Sequence, residues 1–228
     1  MQQYESYPGL PALIGRSRVS TFNALKGRIW KRIHGWQEKF LTHAGKEILI
    51  KAVIQALPTY TMSVFCLPKT ITKDINTMMS RFWWGHKDSS HKMAWMAWKG
   101  MGRSKKMGGL GFRELDSFNV ALLAKQGWRI INFPDSLVAR VYQAKYFVGG
   151  SFLGSTLGRN PSFIWRSIWN AKSLIQDGMM WRIGDGKNVR IWNDKWVPAT
   201  PSHTILSPIN GLNADATVNE IINQGVNW

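Results

Sequence analysis

The chain has 228 residues, 44% of them hydrophobic, which is enough for one large or two small cored domains and too many for a wholly disordered segment. A formal charge of +17 and thirteen tryptophans draw it toward polyanions, with indole rings serving as core fillers or as flat stacking faces. One cysteine, Cys66, excludes a disulfide framework and a thiolate zinc centre, and no apolar run approaches the roughly 18 residues that cross a bilayer.

Residues 1–20, with Pro8, Gly9, Pro11 and Gly15, read as an irregular lead-in. From Thr21 the pattern turns helical: Phe22, Leu25, Ile29 and Ile33 share one face, Arg28 and Lys31 the opposite one, and Gly35 ends the run. A second helix is expected from the N-cap Thr42 to Leu57, stopped by Pro58. It is apolar except for a strip of Lys46, Glu47, Lys51 and Gln55, the pattern of a buried central helix. A third is expected over 70–84, with Ile71, Ile75, Met78, Met79 and Phe82 inward and Gly85 closing it. Residues 85–113, with glycines at 100, 102, 108, 109 and 111 among many cations, read as a flexible basic loop that completes a basic helical region, 21–113.

A second region, 114–197, opens with a helix that places Phe118, Ala121, Ala124, Trp128 and Ile131 on one face until Pro134-Asp135 breaks it. Another helix follows to Phe147, then a Gly/Ser-rich loop over 149–161, then a helix over 162–175 carrying Trp165 and Trp169. Trp181-Arg182-Ile183 and Val189-Arg190-Ile191 alternate around Gly184-Asp185-Gly186-Lys187-Asn188, which predicts a β-hairpin over 181–192. Trp181, Ile183, Val189 and Ile191 then face a core, with Arg182 and Arg190 outward. A loop-rich tail, 198–228, contains Pro198, Pro201, Pro208 and a short amphipathic piece from Val218 to Ile222. The expected fold class is mainly α: a helical bundle followed by a helical connection segment with one small β-hairpin.

Two-metal phosphoryl transfer needs converging carboxylates, yet no two acidic residues are adjacent, and Glu114 and Asp116 sit at a helix start, where acids complement the dipole. The histidines at 34, 43, 86, 91 and 203 show no metal-ligand spacing, and no nucleophile elbow or phosphate-loop motif occurs. No catalytic residue, metal, cofactor or small-molecule substrate is expected. The signal that remains is electrostatic. Residues 1–113 hold 19 Lys and Arg against 5 Asp and Glu, and residues 114–228 hold 11 against 8. Arg28, Lys31, Arg32, Lys39, Lys46 and Lys51, with Arg103, Lys105, Lys106 and Arg113 in the glycine-rich loop, are the candidate nucleic-acid-binding residues. They suit RNA or DNA held by its phosphates without regard to sequence. No lipidation motif favours a membrane partner. An N-terminus without a basic start and apolar stretch is not a secretion signal, so an intracellular site, the nucleus ahead of the cytoplasm, is expected.

Taken in order, further segments form a pattern: Tyr7-Pro8-Gly9-Leu10-Pro11 with Gly15-Arg16-Ser17, Gly35-Trp36, Ala44-Gly45-Lys46, Ala56-Leu57-Pro58-Thr59-Tyr60, Phe82-Trp83-Trp84-Gly85, Gly108-Gly109-Leu110-Gly111-Phe112-Arg113 and Trp181-Arg182-Ile183-Gly184-Asp185-Gly186. Over residues 7–197 this resembles the region that follows the catalytic palm of plant LINE-type (non-LTR) retrotransposon reverse transcriptases. The resemblance implies a helical thumb and a connection segment, ahead of a zinc-binding-like module and in some members a ribonuclease H domain. The thumb holds primer–template duplex by its backbone, and the palm is its packing partner. The family's Tyr-Ala-Asp-Asp strand has no counterpart here, so the resemblance implies a non-catalytic part of an RNA-directed DNA polymerase. A truncated or decayed element copy is expected; a domesticated protein-interaction module and a non-functional relic are the alternatives.

Overall fold

In the computed structural model, which describes residues 10, 17–37, 41–85, 93–198, 200, 202–207 and 211–222, the fold starts from α1 (Arg18–Gln37). Phe22, Leu25, Ile29 and Ile33 are all buried, as their spacing predicts, and the stripe packs on α4 (Lys69–Trp84). That helix turns Ile71, Ile75, Met79 and Phe82 inward and ends where the Gly85 N–H donates to the Arg81 and Phe82 carbonyls. Between them α2 (His43–Leu49) starts at Thr42, whose hydroxyl accepts from the Gly45 N–H at 3.2 Å.

The single helix expected over 42–57 is interrupted. After α2 the chain widens into a π-type turn, Ile50–Ile54, and restarts after Pro58 as α3 (Thr59–Met62). An extra residue in a turn rotates everything after it about the helix axis. Ile50 and Ile54 are thereby fully buried, and Gln55, expected on the polar strip, is 1% exposed. Its side chain answers the Arg113 backbone with two hydrogen bonds of 3.3 Å. The first half of the expected helix is not central: α2 has no buried residue, and Ile48 is exposed.

Residues 98–113 are folded rather than a loose loop. They contain α5 (Trp98–Met101) and one 3₁₀ turn, Lys105–Met107. The Leu110 N–H donates to the Met101 carbonyl, the Gly111 N–H to Arg103 and the Gly109 N–H to Ser104. A Cβ at Gly109 would collide with the Arg103 carbonyl, so this glycine serves close backbone packing, not flexibility. Aromatic contacts anchor the loop: Phe112 stacks on Trp98 at 4.9 Å and meets Trp83 of α4 edge-on at 5.6 Å. Residues 86–92, with His86 and His91, lie outside the described residues.

Helix α6 (Leu115–Asn132) forms where expected but with another face inward. Leu115, Asn119, Leu123, Ala124, Gly127 and Ile130 are buried, whereas Ala121 and Trp128 are exposed and Phe118 and Ile131 only partly covered. Asn119 decides this. Its amide donates to the Met62 and Phe65 carbonyls at 2.7 and 2.9 Å, and its oxygen accepts from the Leu67 N–H at 2.8 Å. A polar side chain that satisfies three buried backbone groups belongs inside. Helix α7 (Leu137–Tyr146) is capped by Ser136, and α8 (Phe163–Asn170) by Ser162. The helix expected over 162–175 is two, since Ala171 breaks it before α9 (Lys172–Gly178). Trp165 is fully buried, stacked on Tyr146 at 4.5 Å and edge-on to Phe152 at 5.8 Å.

The chain divides into two compact units between Leu174 and Ile175. α6 packs on α3 and α4, so residues on both sides of 113 share one core. In the second unit the expected hairpin over 181–192 does not form. Val189 and Ile191 are buried, but they pair with Ala216 and Val218: the Ile191 N–H donates to the Ala216 carbonyl at 3.0 Å and the Val218 N–H to Val189 at 2.8 Å. The Trp181 N–H goes instead to the Lys195 carbonyl at 2.7 Å, and the Trp181 side chain is 43% exposed rather than core. The turn itself is real. Gly186, at φ +71°, lets residues 185–187 come so close to the N-terminus of α10 (Val218–Ile222) that a Cβ would lie 2.6 Å from the Asn219 nitrogen. Turn chemistry is local, but the partner strand is chosen by the apolar residues around it. The fold class stands: mainly α, with a single bridge, Arg190 to Thr217, and no strand among the described residues.

Candidate nucleic-acid interface

α1 contains Arg18, Lys26, Arg28, Lys31 and Arg32 and no acidic residue. With its apolar stripe committed to the core, helical geometry sends Arg28, Lys31 and Arg32 outward on one arc. All three are exposed, and none forms an ion pair with a described residue. Lys26, on the other flank, is tied to Asp74 of α4 at 2.8 Å. Arg18 lies over the Phe163 ring at 4.8 Å. Lys39 lies outside the described residues.

The remaining candidates cluster around α2 and the glycine-rich loop, where the cations have local work. Lys46 reaches across to donate to the Trp83 carbonyl at 3.3 Å, in the last turn of α4, where a cation complements the helix dipole. Lys51 and Lys105 converge on one carboxylate: Glu47 Oε1 lies 2.7 Å from the Lys51 ammonium and 3.0 Å from that of Lys105. Hydrogen bonds from Lys51 and Lys105 hold the Glu47 carboxyl below its usual value. Arg113 packs its guanidinium over Phe118 at 4.6 Å while its backbone is held by Gln55. Arg103 and Lys106 are exposed on the loop, and the Arg103 carbonyl accepts from Gly111 at 2.8 Å. The structure therefore brings Arg28, Lys31 and Arg32 together on α1, brings Lys51 and Lys105 together on Glu47, and ties the loop to α2 through that carboxylate.

Two residues on α1 escaped the charge-based reading. Trp30, 52% exposed, stacks on His34 with ring centroids 4.9 Å apart and planes within 9°. The signal was present in the pattern, since both lie off the Phe22–Leu25–Ile29–Ile33 stripe and are spaced i, i+4.

The acidic pair has a structural role, as its helix-start position predicts. Burial raises the Glu114 carboxyl, but hydrogen bonds from Ser117 and the Asp116 N–H, with Lys99 nearby, outweigh that and hold it below its usual value. Asp116 accepts from the Thr72 hydroxyl at 2.7 Å, joining α6 to α4. Cys66 is half-buried, and burial pushes its thiol up. Among the described residues no three His, Cys, Asp or Glu side chains are grouped to hold a metal ion, and no helix is long and apolar enough to cross a membrane.

The chain is 41% identical over 156 residues to "Uncharacterized mitochondrial protein AtMg00310" of Arabidopsis thaliana, which covers 68% of this chain and 99% of that protein. It is 34% identical over 197 residues to "Putative ribonuclease H protein At1g65750" of the same plant, covering 84% of this chain but 32% of that longer protein. No protein-family model matches the sequence, and no solved structure matches it. With a match that spans nearly all of the first relative, the chain belongs to the same plant protein family as that uncharacterized Arabidopsis mitochondrial protein.

Proposed function

We propose that the chain is a non-catalytic region of a plant LINE-type retrotransposon reverse transcriptase, its thumb and connection, holding RNA or DNA by the phosphate backbone. The observation that carries this is the outer face of α1, three exposed cations on one arc of a 20-residue helix with no acidic residue. Phosphate contacts of this kind give affinity without sequence. Kinship with a longer plant protein named for ribonuclease H supports a nucleic-acid setting, as does the ordered series of matching motifs over residues 7–197. The palm of the element's own polymerase is the proposed packing partner of this chain, and the nucleus its proposed place of action.

Two measurements test this. Oligonucleotides of unrelated sequence, compared duplex with duplex and single strand with single strand, bind within a few-fold of one another. On duplex DNA, log affinity falls linearly with log salt at a slope magnitude of roughly 3–7, for about 4–8 phosphates. A flat salt response overturns the reading. The purified chain extends no primer in magnesium or manganese, because no two acidic residues are adjacent in the sequence and no group of three or more potential metal ligands occurs among the described residues; extension by nuclease-free protein overturns that part.

A second reading, a protein-interaction module, draws on one feature of the first unit. A groove of about 490 Å³ runs between α6, α7 and α8, with Phe133, Leu137 and Val138 exposed on its rim. Exposed apolar surface of this kind marks interaction sites. Binding through it would respond little to salt, so the titration separates the two readings.

A further inference from the structure

We propose that Trp30 and His34 form a stacking platform for an unpaired nucleobase, which gives the α1 face a preference for single-stranded over fully paired nucleic acid. This rests on the backbone-binding reading above and adds to it the contact that bases make.

Trp30 is among the most costly side chains to leave in water, yet 52% of it is exposed. The core does not need it, because Phe22, Leu25, Ile29 and Ile33 already fill the inward stripe of α1. Its ring neighbour among the described residues is His34, one helical turn on, parallel within 9° at 4.9 Å. Two rings held in that geometry extend as a stack. With His34 on one side and half of the side chain open to solvent, the indole offers its remaining surface to a third flat ring.

The charge around it selects what that ring belongs to. Lys31 follows on the arc beside His34, Arg28 and Arg32 lie further round the helix, and α1 has no carboxylate of its own, although Lys26, one turn before Trp30, is paired with Asp74 of α4. A hydrophobic protein partner gains nothing from that field, whereas a strand of nucleotides supplies a base for the indole and phosphates for the cations at once. Bases inside a duplex are already stacked, so only an unpaired base reaches the platform.

The test uses the full chain, a 12-nucleotide oligo-dA and an abasic 12-mer carrying the same phosphates. Trp30→Ala weakens oligo-dA binding roughly 5- to 150-fold, the equivalent of about 1–3 kcal/mol for one lost stack. It leaves the abasic affinity and the melting temperature unchanged, since the indole is outside the core. Trp30→Phe, which keeps a flat ring, retains most of the oligo-dA affinity, and His34→Ala falls between the two. Equal losses on oligo-dA and the abasic strand, or no loss on either, overturn the platform while leaving backbone binding intact. Failure of the wild-type chain to bind either strand overturns both. A protein ligand that binds the wild type and loses affinity in Trp30→Ala, with oligo-dA unaffected, also overturns it.

Discussion

The outer face of α1 and the loop over 98–113 are both cationic in sequence, and the fold puts their charges to different uses. On α1, Arg28, Lys31 and Arg32 lie away from the apolar stripe and from the Lys26–Asp74 pair, and they have no described ion-pair partner. Around the loop the cations are part of the construction: Lys105 and Lys51 share Glu47, Lys46 serves the end of α4, and Arg113 lies over Phe118. Two ammoniums that share one carboxylate leave one net positive charge to offer a phosphate. The count of candidate cations therefore overstates the loop as a binding surface relative to α1.

The largest effect that would sharpen this contrast is on binding. Arg28→Ala with Lys31→Ala and Arg32→Ala should lower the salt-slope magnitude by up to about 2.7 on duplex DNA, at roughly 0.9 per phosphate. Melting should barely change, because exposed substitutions of this kind stay within about 0.5 kcal/mol. The matched triple Lys46→Ala, Lys51→Ala and Lys105→Ala should lower the slope by less than about 1. Equal slopes for the two triples would break the comparison.

A smaller effect bears on the loop as architecture. Gly109→Ala drives a methyl group into the Arg103 carbonyl and should cost about 1–3 kcal/mol, read by chemical denaturation. Its DNA affinity at low salt should stay near wild type if α1 supplies most of the contacts. A loop that tolerates alanine without loss of stability would be the loose segment its glycine content predicts.

The smallest effect concerns Glu47. Glu47→Gln removes the carboxylate that Lys51 and Lys105 share, and should raise the salt-slope magnitude by up to about 0.9. Stability should fall by less than about 1 kcal/mol, as for other solvent-accessible ion pairs. The folded carboxyl lies below its ordinary value of 4.5, so its contribution to stability is present above that pH. It is lost as pH falls through the lower folded value, a step that the Gln variant should lack in acid titrations.

Much of the first unit was legible in the residues. α1 and α4 announce themselves through apolar stripes, and α2 through its cap Thr42, because caps and helical periodicity are local properties. α6 was placed correctly but rotated, since Asn119 is polar and its value lies in three backbone groups more than fifty positions away. In the second unit, alternation and turn residues at 181–192 point to a hairpin. Val189 and Ile191 instead find Ala216 and Val218, an option that no local pattern ranks. At the candidate interface the α1 cations were readable from helical spacing, as is the local i,i+4 pair of Glu47 and Lys51, whereas the sequestering of Lys105 depends on the loop folding back onto Glu47.

By itself the sequence determined a mainly helical chain, a strongly basic first half, an apolar face on α1 with cations opposite, and the absence of adjacent carboxylates. These depend on composition and on neighbours within a turn or two, where backbone geometry dictates which side chains share a face. Only the tertiary structure decided that Gln55 and Asn119 go inside, that Gly109 is a packing residue, that Trp181 is exposed while Trp165 is core, and which lysines remain uncommitted. For Gln55 and Asn119 the deciding partners lie more than fifty residues along the chain, and burial is stable there because hydrogen bonds to that distant segment satisfy groups that water would otherwise hold.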